Sequence, residues 1–229
     1  MKNINKLEKR IGYKFKNKEL SQKVFIHRSY LNENIENFEE HNERMEFLGD
    51  AVLELSATKY LYDKFPSKTE GELTAIRSAL VNTNSLAKKA LELDLNDHLM
   101  LSKGEEESIK GRFHILANTF EALVGAIYLD SDFDEVDNFL KNYLFSYVDE
   151  IVKLKLYIDP KSHFQEIAQE KDKITPIYKQ IESKGPDHDR IFVMGIYLNE
   201  ELIAKGEGHS KQKAEIEAAK NGLEKKGWK

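Results

Sequence analysis

The side chains best suited to chemistry are acidic residues inside an otherwise apolar segment, residues 41–55. At 100° of rotation per residue, Glu43, Glu46 and Asp50 share an arc of about 60° along about 10 Å of helix. Apolar residues cover most of the remaining circumference, which is typical of a buried helix. Carboxylates crowded at the edge of such a helix repel one another and lose hydration unless a cation neutralises them. A solvated charged face is the alternative, and the apolar Leu53 beside the stripe argues against it.

A second apolar segment, residues 115–129, contains Asn118 and Glu121 three positions apart on one helical face. If the two segments pack as neighbouring helices, Glu46, Asp50, Asn118 and Glu121 form a cluster of oxygen ligands without His or Cys. Such ligands suit Mg²⁺ or Mn²⁺ far better than Zn²⁺. Because acid clusters that hold hard divalent ions commonly catalyse phosphoryl transfer, the pattern predicts a metal site that acts on a phosphodiester.

Composition narrows the class of protein further. The 229 residues include no cysteine, which excludes disulfide scaffolds, thiolate zinc sites and cysteine nucleophiles. No stretch approaches the roughly 20 apolar residues of a membrane span, and the lysine-rich start lacks the apolar run of a signal peptide, so we expect a cytoplasmic protein without membrane contact. Residues 1–150 carry 20 Lys/Arg against 27 Asp/Glu, and residues 151–229 carry 15 against 13. Nucleic-acid binding therefore has to be argued from local clusters.

Two kinds of periodicity divide the chain and predict a multidomain fold. Up to about residue 152, apolar residues recur at helical spacing, which predicts an all-α domain over residues 1–154. Residues 155–229 predict a small α+β domain with the order α-β-β-β-α. Its predicted elements are a helix over 162–171, strands over 175–183, 190–198 and 201–206, and a helix that opens near Ser210.

The two apolar segments with their acids resemble a known family. Residues 42–53, which read NERMEFLGDAVL, resemble the signature of bacterial ribonuclease III, a double-stranded-RNA endonuclease. Residues 115–130 resemble the second conserved helix of that family, and the second half of the chain resembles its double-stranded RNA-binding domain. The resemblance thus covers essentially the whole chain.

The resemblance implies roles for individual acids. Asp50 and Glu121 stand where the family has its two essential catalytic carboxylates, Glu46 matches a metal ligand, and Glu43 matches a further acid at the edge of the site. The ligand position before Thr119 is usually an aspartate, and here it is Asn118. An amide oxygen can still bind a hard cation, but the site loses one negative charge, which weakens metal binding.

Two further positions have a structural alternative beside the role that the resemblance implies. Glu70 matches a family acid near the metal site, although a glutamate at a helix start is also favoured by the helix dipole. Phe47 matches an aromatic residue that contacts the partner subunit in the family, whereas ordinary core packing would also explain it.

The resemblance also implies a mechanism and a biological role. With Mg²⁺, or Mn²⁺ in its place, an activated water attacks the scissile phosphorus and leaves a 5′-phosphate and a 3′-hydroxyl. The family works as a homodimer that produces short 3′ overhangs and processes ribosomal RNA precursors, and mRNA and tRNA processing belong to the same expectation.

The second domain presents candidate contacts to duplex RNA, whose minor groove exposes 2′-hydroxyls between rows of phosphates. Polar residues share one face of its first helix, although an ordinary solvated face would look the same; they are Ser162, Gln165, Glu166 and Gln169. His188 lies in a loop that resembles the family's minor-groove loop. Lys211 and Lys213 open the last helix, where free backbone N–H groups also favour phosphate. Gln212 and Glu215 replace lysines usual in the family, which reduces the expected phosphate affinity.

Two other functions compete with the nuclease. The substitution at Asn118 suggests a duplex-RNA-binding protein that no longer cuts, but the retained Glu46, Asp50 and Glu121 argue against it. An acidic helical metal-binding domain with another phosphoester substrate, such as a nucleotide, is the other possibility. The predicted RNA-binding domain argues against that one.

Overall fold

The structure is a computed structural model that describes residues 4–34, 40–107, 109–186 and 189–228. It divides into two compact units, residues 1–157 and 158–229, so the division falls three residues after the boundary that the sequence indicated. Within the described part of the chain, every helix is too short or too polar to cross a bilayer.

The first unit is helical, as the spacing of its apolar residues predicts. Two short 3₁₀ helices, Leu95–His98 and Phe145–Tyr147, accompany its α-helices. The α-helices are α1 Ile4–Ile11, α2 Lys18–Lys23, α3 Arg28–Glu33, α4 Glu43–Lys64, α5 Glu70–Leu80, α6 Thr83–Glu92, α7 Lys103–Glu107, α8 Ile109–Asp130, α9 Phe133–Tyr143 and α10 Val148–Lys153.

Helix α8 forms the centre of this unit. Its residues Phe120, Leu123 and Ile127 are completely buried in one continuous apolar core. At its C-terminal end, the Asp130 carboxylate accepts hydrogen bonds from the Tyr13 hydroxyl and from the backbone N–H groups of residues 16 and 17, each at 2.7 Å. The candidate metal ligands Asn118 and Glu121 therefore stand on a helix that is buried in the core of the unit.

Helix α4 packs against α8 on one side only. Its start is fixed by the buried Asn42, whose side-chain amide donates to the carbonyl oxygen of Val24 at 3.0 Å. The expectation of a helix buried nearly all round is wrong, since Phe47 is 81% exposed and Leu55 is 60% exposed. Periodicity shows that these residues are apolar, but no described neighbour from the same unit covers them.

The second unit has the predicted α-β-β-β-α order. It consists of α11 Pro160–Lys171, β1 Ile177–Lys184, β2 Ile191–Leu198, β3 Glu201–Gly208 and α12 Lys211–Lys226. The strands form an antiparallel sheet in the order β1-β2-β3. The side chains of Phe164, Ile196 and Ala218 are completely buried in its core. Ser210 caps α12 as predicted, because its hydroxyl accepts a hydrogen bond from the backbone N–H of Lys213 at 3.2 Å.

Candidate active site

Helices α4 and α8 cross at two glycines. A methyl group on Gly49 would lie 1.8 Å from the carbonyl oxygen of Glu121, and one on Gly125 would lie 2.2 Å from the carbonyl oxygen of Met45. Real side chains do not approach backbone atoms so closely, so only glycine allows this crossing. The two backbones therefore come near enough for side chains one turn away on both helices to meet.

The crossing brings together the four predicted oxygen ligands. Asp50 is exposed, while Glu46, Asn118 and Glu121 are half-buried at the same edge. The Asn118 side chain is hydrogen-bonded to Glu46, and the charges of Glu46 and Asp50 both act on Glu121. The juxtaposition predicted from two separate apolar segments is thus present in the fold, whereas the chemical role of each side chain stays a prediction.

The electrostatics of this cluster are unfavourable to negative charge. Burial, followed by repulsion from Asp50 and Glu46, raises the pKa of Glu121 from 4.5 to about 7. Burial also raises the pKa of Glu46, with a further increase from Glu43, and the hydrogen bond with Asn118 opposes this rise. Without a counter-charge, Glu121 is therefore only partly ionised near neutral pH, and a cation placed here would favour its ionised form.

The donor set fits a hard divalent cation. All four side chains offer oxygen, which Mg²⁺ and Mn²⁺ prefer. However, no three His, Cys, Asp or Glu side chains of the described residues stand close enough to hold a metal ion on their own. A cation at this place would therefore need further oxygen ligands, such as Asn118 and water, which Mg²⁺ commonly keeps.

Glu43 lies one helical turn before Glu46 on α4. Its carboxylate is 3.5 Å from an Arg28 nitrogen and 3.8 Å from His41 Nδ1, and its charge acts on Glu46. Glu43 thus combines an electrostatic effect on Glu46 with contacts to α3 and to the segment that precedes α4.

The structure places Glu70 elsewhere in the unit. It is the first residue of α5 and accepts a hydrogen bond from the Thr74 hydroxyl at 3.1 Å. Its surroundings are a groove between α4 and α5 that also includes Thr58 and Tyr62. Glu70 is therefore not part of the cluster formed within one chain.

Phe47 is not a core residue. Its ring is 81% exposed and lies beside an open groove that includes Leu48 and Leu129. Ordinary core packing, one of the two explanations of this aromatic residue, is therefore wrong for the isolated chain.

The predicted RNA contacts of the second unit lie at its surface. The polar residues of α11 are all exposed, although two have local partners: the Ser162 hydroxyl donates to Asp159, and the Gln169 amide is bonded to Thr175. Lys211 and Lys213 are exposed in the first turn of α12. His188 lies outside the described residues.

Sequence reasoning missed the glycines that create the crossing. Gly49 and Gly125 stand inside helices, where glycine is unfavourable relative to alanine by up to about 1 kcal/mol. This cost was the available signal for a close backbone approach. Sequence reasoning also missed Arg77 of α5, whose guanidinium donates a hydrogen bond to the Thr58 hydroxyl at 2.7 Å. No motif in the sequence distinguishes that arginine.

Comparison with known proteins matches both units. The Ribonuclease-III-like family model matches residues 17–148, and the double-stranded RNA binding motif matches residues 160–226. Ribonuclease 3 of Bdellovibrio bacteriovorus is 41% identical over 96% of this chain and 94% of the relative. Ribonuclease 3 of Leptospira interrogans is 43% identical over 96% of this chain and 89% of the relative.

The solved structures agree with these matches. A crystal structure of the nuclease domain of ribonuclease III from Campylobacter jejuni is 39% identical and covers 64% of this chain and 96% of that domain, with a TM-score of 0.56. A helical nuclease domain followed by a double-stranded RNA-binding domain defines the class. The chain belongs to the ribonuclease III family, and the expected family and fold class are confirmed.

Proposed function

We propose that this protein is a Mg²⁺-dependent endonuclease that hydrolyses double-stranded RNA as a homodimer. The observation that carries the proposal is the cluster of Glu46, Asp50, Asn118 and Glu121 at the glycine crossing. Its oxygen donors and its raised carboxyl pKa values suit a bound divalent cation. The double-stranded RNA binding motif in the same chain indicates the substrate.

In this proposal the protein's own residues bind and orient the reacting groups. Asp50 and Glu121 are the catalytic carboxylates, and Glu46 is the third acidic ligand. The Asn118 amide donates to the Glu46 carboxylate, which leaves its carbonyl oxygen free to serve as the fourth ligand. Held by these four side chains, Mg²⁺, or Mn²⁺ in its place, would supply polarisation of the phosphate and a lower pKa for a water molecule. The products are a 5′-phosphate and a 3′-hydroxyl.

The second unit holds the duplex for this reaction. The exposed lysines 211 and 213 at the start of α12 are suited to phosphates, and the polar face of α11 is suited to the 2′-hydroxyls of a minor groove. We include His188 among these contacts on the family resemblance alone. Recognition of this kind reads the shape of the duplex rather than its sequence.

The exposed apolar side chains of the first unit support dimerisation. Phe47, Leu55 and Leu129 are 81%, 60% and 52% exposed, which is costly for a chain that acts alone. One Campylobacter jejuni nuclease-domain structure, 38% identical, is described in terms of a region involved in dimer formation. Two copies that each cut one strand would leave the short 3′ overhangs expected of the family.

The biological part of the proposal is RNA processing in the cytoplasm. Ribosomal RNA precursors are the expected substrates, and structured regions of mRNA and tRNA precursors offer the same duplex features. We include Glu70 in the proposal as an accessory acid. It lies in the α4–α5 groove and outside the cluster of its own chain, so it could act on a cluster only through the arrangement of two subunits.

A cleavage assay tests the function directly. The purified protein and its Glu121→Gln variant are incubated with a long end-labelled RNA duplex in Mg²⁺ and then in Mn²⁺, and the product ends are mapped. Cleavage by the wild type alone, with 5′-phosphates and staggered ends, is the expected result. Intact RNA that is nevertheless bound by the wild type would overturn the enzymatic part and leave a duplex-binding protein.

A further inference from the structure

A continuous ridge of side chains leads away from the carboxylate cluster along α4. Residues four positions apart on a helix form such ridges, and this one runs through Glu46, Asp50, Glu54, Thr58 and Tyr62. From Asp50 onward every member is exposed. Thr58 is about 12 Å along the helix from Asp50 at 1.5 Å per residue. The α4 ridge therefore connects the candidate active site to the groove between α4 and α5.

A cation contacts the α4 ridge at Thr58. The Arg77 guanidinium of α5 donates to the Thr58 hydroxyl at 2.7 Å, and that hydroxyl donates in turn to the carbonyl oxygen of Glu54 at 2.7 Å. Arg77 is half-buried, and none of the described carboxylates lies within ion-pair distance of it. A guanidinium carries five N–H donors, so one neutral partner leaves most of its capacity for an anion unused.

The groove around Arg77 is large enough for part of a nucleic-acid backbone. Its volume is about 460 Å³, and Tyr62, which is 71% exposed, and Thr74 contribute to its lining. The other cation of this groove, Lys68, is already paired with Glu72 at 2.9 Å. Arg77 is therefore the cation of the described lining that is held in place without a neutralising partner.

We propose that Arg77 binds a backbone phosphate of the RNA strand that enters the carboxylate cluster. This inference rests on the proposed function and adds a positioning contact on the nuclease unit itself. A phosphodiester offers two unesterified oxygens and one negative charge, which the planar fork of a guanidinium matches better than an ammonium does. Thr58 fixes the orientation of that fork, and the negative charge of Glu54 favours placement of the phosphate beyond it, at Arg77.

Equilibrium binding of a labelled RNA duplex to the full chain tests this contact without cleavage. Binding is measured without divalent metal at several salt concentrations for the wild type and for Arg77→Met, Arg77→Lys and Lys59→Met. Lys59 is the matched control, because it is an exposed cation next to Thr58 in sequence but pairs with Asp63 away from the groove. We expect Arg77→Met to weaken binding about tenfold and to reduce the slope of log Kd against log salt by about 1. Arg77→Lys should recover part of the loss.

Several outcomes would overturn the inference. One is an Arg77→Met variant with the affinity and salt slope of the wild type. Another is an equal loss of affinity in Lys59→Met, which would indicate that only the general charge of the surface matters. A changed molecular mass of Arg77→Met in light scattering would assign Arg77 to a contact between subunits instead. A wild type that binds the duplex without cutting it would contradict the proposed nuclease, while the salt slopes would still decide the role of Arg77.

Discussion

The two units position their predicted functional residues in different ways. In the nuclease unit, Glu46 and Glu121 stand beside a crossing at which Gly49 and Gly125 leave no room for a methyl group, and burial raises the pKa of both carboxyls. In the second unit, the candidate contacts are exposed and are placed by the start of α12 and by one face of α11. Substitutions in the first set should therefore change folding stability together with activity, and substitutions in the second set should change mainly the salt dependence of RNA binding.

Closing the glycine crossing should give the largest effect. In Gly125→Ala the added methyl group meets the Met45 carbonyl oxygen, so α4 and α8 have to separate. We expect a loss of about 3 kcal/mol in the free energy of unfolding, measured by urea denaturation, together with loss of cleavage. The control is Gly71→Ala in α5, where a methyl group meets nothing within 4 Å. That change should be neutral or slightly stabilising, and equal stability losses in both variants would refute the crossing as the cause.

The carboxylate cluster should make stability depend on pH in an unusual direction. A carboxyl whose pKa is higher in the folded state is neutral in both states at low pH, and it destabilises the fold when it ionises. For Glu121 that loss begins above pH 4.5 and is complete above about pH 7. Without divalent metal, Glu121→Gln should therefore raise the free energy of unfolding at pH 8 by about 2 kcal/mol, after allowance for partial exposure.

Denaturation curves from pH 4 to pH 8 measure this effect. The gain should disappear below pH 4.5, and Glu54→Gln, which removes an exposed carboxylate from the same helix, should change stability by less than about 0.5 kcal/mol. A Glu121→Gln variant with wild-type stability at pH 8 would mean that neither burial nor the neighbouring acids destabilise the ionised Glu121 carboxylate.

Asn118 should tune the same cluster less strongly. Asn118→Asp replaces a hydrogen-bond donor to Glu46 with another negative charge, so the metal-free protein should lose about 1 kcal/mol of stability at pH 8. The same variant should reach half-maximal cleavage at a lower Mg²⁺ concentration, which a titration of activity measures. Asn118→Ala removes the hydrogen bond without adding charge. If both variants require the same Mg²⁺ concentration, the charge at this position does not control metal binding.

The exposed set should give the smallest effect. Lys211→Met should weaken binding of duplex RNA about threefold and reduce the salt slope by about 1, with an unchanged free energy of unfolding. The control is Lys220→Met, which removes an exposed lysine that is paired with Glu217 farther along α12. A stability loss in Lys211→Met, or an equal loss of affinity in the control, would remove the contrast between the two units.

The sequence predicted those features that depend on local periodicity. The spacing of apolar residues identified α4 and α8. The acidic residues within these two apolar segments predicted the carboxylate cluster. Ser210 was predicted as a cap from its residue type and the helical pattern after it, and its bond to Lys213 confirms this. Such features are encoded within one or two helical turns of chain.

Features that depend on how separate helices pack against one another could not be predicted from local periodicity. The exposure of Phe47 and the position of Glu70 follow from how complete helices pack, and neither is encoded in the neighbouring residues. The same holds for the hydrogen bond between Arg77 and Thr58, which joins two helices. The glycines were a local signal, but their partners across the crossing are more than 70 residues away in the chain.

The hydrogen bonds of Asp130 have a consequence for synthesis of the protein. This carboxylate holds the segment that contains Tyr13 and residues 16 and 17, which leaves the ribosome more than 110 residues earlier. The early segment therefore cannot form these hydrogen bonds until α8 has been synthesised. Glu121 of α8 comes close to Asp50 at the same stage. A nascent chain that carries only the first acidic helix lacks half of the proposed catalytic pair, so it stays inert towards the RNA around it until the helical unit is nearly complete.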